Sequence, residues 1–259
     1  MIEHLREHTT PGIPPFATNT INYTFPNVGP VFPVVVPDRS SLWVVGRFVT
    51  FEELNYVVSR IDKCAQGAAL ATETTFDIER ITSTHERIPN RTIAELVYRN
   101  LQSVGAPKFD KEEQEFAKQL QKAYDVPEVG LDETISPIHG GNDPVSDNAE
   151  YTWFAPICML HVATTPVGVM AHSWGNTASV GSSIGKKALD VVGKVNARAA
   201  LDLIGSPDII DEAKKEMKER LQGRSYTSLI PESVKPPVLI NRQIMDRFRI
   251  LLEKSCKET

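Results

Sequence analysis

Cysteine is scarce in this chain of 259 residues: Cys64, Cys158 and Cys256 lie far apart, with no Cys-x-x-Cys pair. They cannot form a closed disulfide set, and such usage points to a reducing compartment. Positive charge is not in excess either. Lys and Arg number 28 against 33 Asp and Glu, a net charge of −5, which argues against a nucleic-acid footprint. Met1-Ile2-Glu3-His4-Leu5-Arg6-Glu7-His8 lacks the apolar core of a secretory signal, so the expected location is the cytoplasm. One stretch, Tyr151 to Gly185, lacks charge entirely and is 35 residues long, enough to cross a bilayer. It contains Pro156, Pro166, His161, His172 and Asn176, and one lipid-facing helix could not satisfy its backbone. A buried strand over 152–164 followed by a glycine-rich loop is expected instead, with no membrane contact.

What is present reads as a soluble α/β chain. Seven prolines between Pro11 and Pro37 force an extended, loop-like start with at most edge strands. Ile21–Phe25 alternates, and Ser41–Phe48 is rich in β-formers. Thr50 with Glu53 forms a capping box, and Leu54, Val57, Val58, Ile61, Ala65 and Ala68 recur at helical spacing, predicting a helix over 51–69 with Cys64 on its inner side. Thr75–Ile81 alternates apolar and charged residues, predicting a half-buried antiparallel strand. Asn90 caps a helix with Ile93, Leu96, Val97 and Leu101 inward, and Asp110 with Glu113 opens another around Phe116 and Leu120. Residues 125–150 read as an irregular loop. A long helix is expected from Ser183 to Ile204, broken at Gly205. Ser206 and Pro207 then open a helix with Ile210, Ala213, Met217 and Leu221 inward, closed by Gly223. A terminal helix over 241–255 places Ile244, Phe248 and Leu252 inward.

The chemistry-bearing motifs are few. Gly181-Ser182-Ser183-Ile184-Gly185-Lys186-Lys187 has three residues between its glycines where a phosphate loop needs four, and Lys187 where that loop needs a hydroxyl. A close-packed helix start explains it better than an anion site. There is no Gly-x-Ser-x-Gly elbow, and Cys158 falls within the expected strand. The six histidines, His4, His8, His85, His139, His161 and His172, form no paired zinc motif. His172, just after the expected strand and preceded by the loop carboxylates Asp143, Asp147 and Glu150, is the most suggestive ligand. A hydrogen-bonded structural histidine is the plain alternative.

The order of rarer residues adds to this. Val36-Pro37-Asp38, Leu42-Trp43, Arg47, Lys63-Cys64-Ala65-Gln66-Gly67-Ala68-Ala69, Pro89-Asn90-Arg91, Gly105-Ala106-Pro107, Ser146-Asp147, Trp153, Pro156, His172-Ser173-Trp174, Ser183-Ile184-Gly185-Lys186, Ala200-Leu201-Asp202-Leu203 and Lys235-Pro236-Pro237 follow one another. Over almost its whole length the chain resembles the dinuclear-zinc amidohydrolases, the family of metallopeptidase relatives that includes aminobenzoyl-glutamate hydrolase, aminoacylases and carboxypeptidase G.

The resemblance implies an α/β chain in two parts. Residues 1–88 match a small antiparallel-sheet dimerisation lid of α+β type with helices on one face. Residues 89–259 match the C-terminal half of a zinc-peptidase-like catalytic domain. The segment that carries the His-x-Asp and Glu-Glu motifs in relatives has no counterpart here, so no catalytic residue is assigned. The resemblance makes His172 the last metal ligand. It puts Asn22 at the place of a lid histidine that helps stabilise an oxyanion, Val34 at that of a polar Asn, and Asn90, Asp147 and Glu150 on the substrate side. The implied activity is hydrolysis of N-acyl amino acids or small peptides, p-aminobenzoyl-glutamate among them. A zinc or manganese site would then bring the pKa of a bound water from about 15.7 toward 7, and a carboxylate would carry the proton. The implied partners are a second copy through the lid's edge strand and an N-terminal-half polypeptide that completes the site. A chain without metal is the alternative where that half is not supplied. A non-catalytic dimerisation or regulatory remnant of the family is the alternative function.

Overall fold

In the computed structural model, residues 20–30, 32–139, 147–236, 238–239 and 241–256 are described. The readings made for the first nineteen residues (His4 and His8 among them), for residues 140–146 with Asp143, and for Pro237 lie outside these. Strand β1 (Thr20–Asn27) pairs antiparallel with β2 (Ser41–Arg47), setting Ile21 opposite Gly46 and Tyr23 opposite Val44. The register shifts between Thr24 and Asn27, where Pro26 has no N–H to give the ladder. Helix α1 (Phe51–Thr72) lies on this hairpin, burying Ile21 against Val57 with Val44, Phe48, Ile61 and Cys64 packed around them. Its start is the expected capping box: Glu53 N–H donates to Thr50 Oγ1 at 3.2 Å and Thr50 N–H to Glu53 Oε2 at 3.3 Å.

The expected strand over 75–81 is not paired. Among the described residues the sheet has two strands, and Phe76, Ile78 and Ile81 are exposed. The segment has no regular structure and is tied to α1 by Arg80 Nη2, which donates to both oxygens of Asp62 at 2.6 and 2.7 Å. Alternation supplies strand propensity, but a strand exists only where a neighbour completes its hydrogen-bond ladder.

The remaining regular elements among the described residues are helical: α2 (Arg91–Val104), α3 (Lys111–Ala123), a 3-10 turn (Asp147–Trp153), α4 (Trp174–Val180), α5 (Ser183–Gly205), α6 (Pro207–Leu221) and α7 (Arg242–Ser255). Helix α5 packs against α2, α4 and α6 through Ile184, Ala188, Val191, Val195 and Ala199, a stripe at helical spacing. Ile184 also joins Ala117 and Leu131 in a second core lined by Phe109 and Phe116. A Cβ at Gly185 would run into the Val180 carbonyl, so the glycine marks close packing at the helix start. Lys187 points to carboxylates, Asp110 at 3.1 Å and Glu113 at 2.5 Å. This is the close-packed helix start expected over a phosphate loop.

Buried polar groups lock the loops. Gln121, fully buried, accepts from Gly130 N–H at 2.7 Å and donates to Gly130 O at 3.1 Å and Val167 O at 2.8 Å. Glu216 holds the start of α2, accepting from Arg91 N–H at 2.7 Å and from Thr92 N–H and Oγ1 at 2.9 Å.

Three further expectations are corrected. The buried strand over 152–164 is the end of the 3-10 turn followed by an irregular segment without a ladder. Its sequence is a strand's, but no described strand lies beside it. Helix α7 forms, yet Ile244, Phe248 and Leu252 are each more than half exposed, because its amphipathic spacing has nothing to pack on among the described residues. Ser206 precedes α6 with Pro207 at the first turn, but its side chain makes no capping bond. The architecture is thus α/β or α+β, a small antiparallel hairpin followed by a helical part. No helix among the described residues is long and apolar enough to cross a membrane.

Candidate functional site

Two places carry the chemistry. The first is where the 3-10 turn meets residues 85–88 and 224–226. Thr152 Oγ1 donates to Ala149 O at 2.6 Å and accepts from Ile88 N–H at 2.9 Å, and Trp153 Nε1 donates to Glu86 O at 2.9 Å. These bonds fix Glu150, whose Oε1 accepts from His85 N–H at 2.6 Å and lies 3.1 Å from His85 Nδ1. The His85 ring is 4% exposed and walled by Phe51, Trp153 and Tyr226, with centroids 5.4, 4.6 and 4.9 Å away. The Tyr226 phenol also donates to Glu150, and that bond, then burial, then the negative charge hold it above its usual range. Arg224 stacks 5.2 Å over the Trp153 ring and pairs with Glu86. Glu150 is thus engaged by His85 and Tyr226. Asp147, three residues before it, is exposed, while Arg87 donates to Asn148 Oδ1 at 3.2 Å.

The second place is the turn before α4. Ser173 Oγ donates to Met170 O at 2.6 Å and accepts from Asn176 N–H at 3.3 Å. Gly175 N–H donates to the Tyr124 hydroxyl at 3.0 Å, and Asn176 Nδ2 reaches Thr165 Oγ1 at 2.5 Å. In this braced turn His172 is exposed with φ at +59°. A non-glycine residue in the left-handed region is uncommon and costs of order 1 kcal/mol or more, so its surroundings must hold it there.

The remaining site residues lie elsewhere. Asn22 is exposed on β1 opposite Val45. Asn90 is buried, accepting from Ile93 N–H at 3.0 Å and donating to Ala213 O at 2.8 Å, so its amide is used on both sides. Among the described residues, no hydrogen bond or ion pair joins His172 to Asn22, Asn90, Asp147 or Glu150, nor do three His, Cys, Asp or Glu side chains gather to hold a metal ion. The sequence reading missed His85 and Tyr226. Nothing local marks them, because their partners are 65 residues away along the chain for His85–Glu150 and on a third segment for Tyr226.

No family model matches this sequence. Over 248 residues, 85% of this chain, it is 24% identical to a p-aminobenzoyl-glutamate hydrolase subunit of Escherichia coli (strain K12). The chain resembles an amidohydrolase subunit. It spans about half of that relative, 51% of its length.

Against that resemblance, the donor set can be weighed for a metal. A catalytic zinc takes three protein ligands with an open fourth position. His172 supplies one exposed imidazole, Glu150 is spent on His85 and Tyr226, and Cys158 is half-buried with its thiol pushed up by burial. The described residues do not make up a metal site by themselves.

Proposed function

We propose that this chain is one part of a metal-dependent amide hydrolase acting on N-acyl amino acids or small peptides of the p-aminobenzoyl-glutamate kind. In this reading His172 contributes one ligand to a zinc or manganese site, and a second polypeptide contributes the others and the general base. The observation that supports it most directly is the likeness to a hydrolase subunit over 85% of the chain, joined to a histidine held outward in a braced, left-handed turn. Exposed Asp147 and Asn22 are the groups free to meet a polar substrate. Glu150 acts indirectly, keeping the Asp147 turn in place through His85.

Elemental analysis and zinc titration of the purified chain, with p-aminobenzoyl-glutamate turnover measured in parallel, test this reading. The chain alone is expected to bind zinc weakly, to lose that binding in His172→Ala, and to show no turnover. Tight stoichiometric zinc with turnover by the chain alone would overturn the shared site. Zinc binding unchanged in His172→Ala would remove His172 from it.

A further inference from the structure

Helix α5 is apolar on two sides, and only one of them is covered. Its inner stripe, Ile184, Ala188, Val191, Val195 and Ala199, is buried. On the far side Leu189, Gly193, Asn196, Ala197, Ala200 and Ile204 are all exposed. Leu189 and Ile204 keep 71% and 77% of their surface in water, and a Cβ at Gly193 would meet nothing within 4 Å beyond the helix's own backbone. A helix apolar all round belongs in an interior, so this second face calls for a cover. The charges along its flank, Asp190 and Lys194, pair with each other at 2.5 Å. The order of sizes along the face reads the same in both directions. At about 100° per residue, positions equidistant from the point between Asn196 and Ala197 fall symmetrically about its centre line. Leu189 answers Ile204, Gly193 answers Ala200, and Asn196 and Ala197 stand at the middle. A surface that meets a copy of itself across a two-fold axis needs this property, because each residue then lies beside the residue at the mirrored position. An unrelated partner imposes no such symmetry.

We propose that the outer face of α5, from Leu189 to Ile204, pairs antiparallel with the same face of a second copy of the chain. The small side chains of Gly193, Ala197 and Ala200 let the two helices approach closely, and Leu189 of one copy packs beside Ile204 of the other at each end. The axis sets Asn196 next to Asn196 of the other copy. Among the described residues this amide has no hydrogen-bond partner. An apolar cover would bury it unpaired, which is costly, whereas a second Asn196 offers it donor and acceptor at once. A buried pair of this kind also fixes the register of two helices. The contact is a helix pair about four turns long, small beside the roughly 1,000 Å² of a stable interface, so the dimer is a weak one. It is distinct from the β1 edge expected to dimerise from sequence, and it does not depend on the hydrolase reading.

A residue on the axis meets itself, so Asn196 is the place to test the pairing. Sedimentation velocity of the full chain over about 1–100 μM should show an association step, from monomer to dimer, or between dimers where the β1 edge pairs as well. Asn196→Asp and Asn196→Lys each set like charges side by side and should weaken that step about tenfold or more. Mixing the two variants sets opposite charges together and should restore it. Both substitutions fall at an exposed helical position, so folding is not at stake. No association up to about 100 μM overturns the proposal and leaves the face to a different partner. So does association indifferent to both charges, which would place the contact elsewhere, or two weakened variants whose mixture stays apart, which would remove the two-fold through Asn196.

Discussion

Glu216 offers a quantitative check on how the helical part is held. The first N–H groups of α2 have no partner within the helix. Asn90 covers one, and Glu216, reaching across from α6, covers those of Arg91 and Thr92. Burial alone would raise the carboxyl's pKa. The two N–H bonds, Arg220 Nε at 2.8 Å and the Thr92 hydroxyl outweigh it, bringing the value from 4.5 down to about 2. The positive end of the α2 dipole acts in the same direction. Because the folded value lies below the unfolded one, the stability it contributes is fully present above about pH 4.5 and is lost as pH falls through about 2. At about 1.4 kcal/mol per pH unit, that drop is worth about 3 kcal/mol, and the side chain, 17% exposed, is screened little. Glu216→Gln keeps an acceptor oxygen but not the charge. Urea unfolding followed by circular dichroism should show the variant less stable by about 2–3 kcal/mol at neutral pH, with the gap closing toward pH 2. A gap of the same size at both ends of that range would refute the reasoning.

Other outcomes follow from the same accounting. Asn90→Ala removes a cap and the second donor to Ala213 O, so it should cost about 1–2 kcal/mol in urea unfolding. Gln121→Leu strands Gly130 N–H in the interior and removes the donor to Val167 O. It should cost at least about 2 kcal/mol and raise proteolysis of the 126–131 loop. Gly185→Ala drives a methyl into the Val180 carbonyl and should destabilise by about 1–3 kcal/mol, read as a fall in Tm. In Glu150→Gln, the Tyr226 phenol loses its charged acceptor. Its midpoint, isolated by subtracting the ultraviolet titration of Tyr226→Phe, should move down toward the ordinary tyrosine range.

Helices were the legible part of this chain. The capping boxes at Thr50 and Asp110, the Asn90 cap and the stripes of α1, α2, α3 and α6 are local patterns, and each produced the expected element, as did the long run of α5. Helix α4 was missed because its seven residues lie in a stretch of Ser, Thr and Gly whose composition resembles a loop. Of the candidate site, the position of His172 in the order of residues was legible, but its left-handed backbone was not, since no glycine or asparagine stands there to signal it. Asn90 carried two readings at once, and its burial between Ile93 N–H and Ala213 O commits both ends of its amide to packing.

By itself, then, the sequence determined whatever neighbours within a few residues can decide: caps, helical stripes, the strand-forming runs of β1 and β2, and the absence of charge from Tyr151 to Gly185. Tertiary structure alone decided whether an extended run has a partner, which histidine is enclosed and which stands in solvent, and where a carboxylate is spent. Residues 75–81 and 156–163 have strand sequences and no ladder, because pairing is a property of two segments and propensity of one. His85 and Glu150 meet for the same reason in reverse. Neither residue's surroundings in the chain announce the other, and only the packing of Phe51, Trp153 and Tyr226 around them makes the pair.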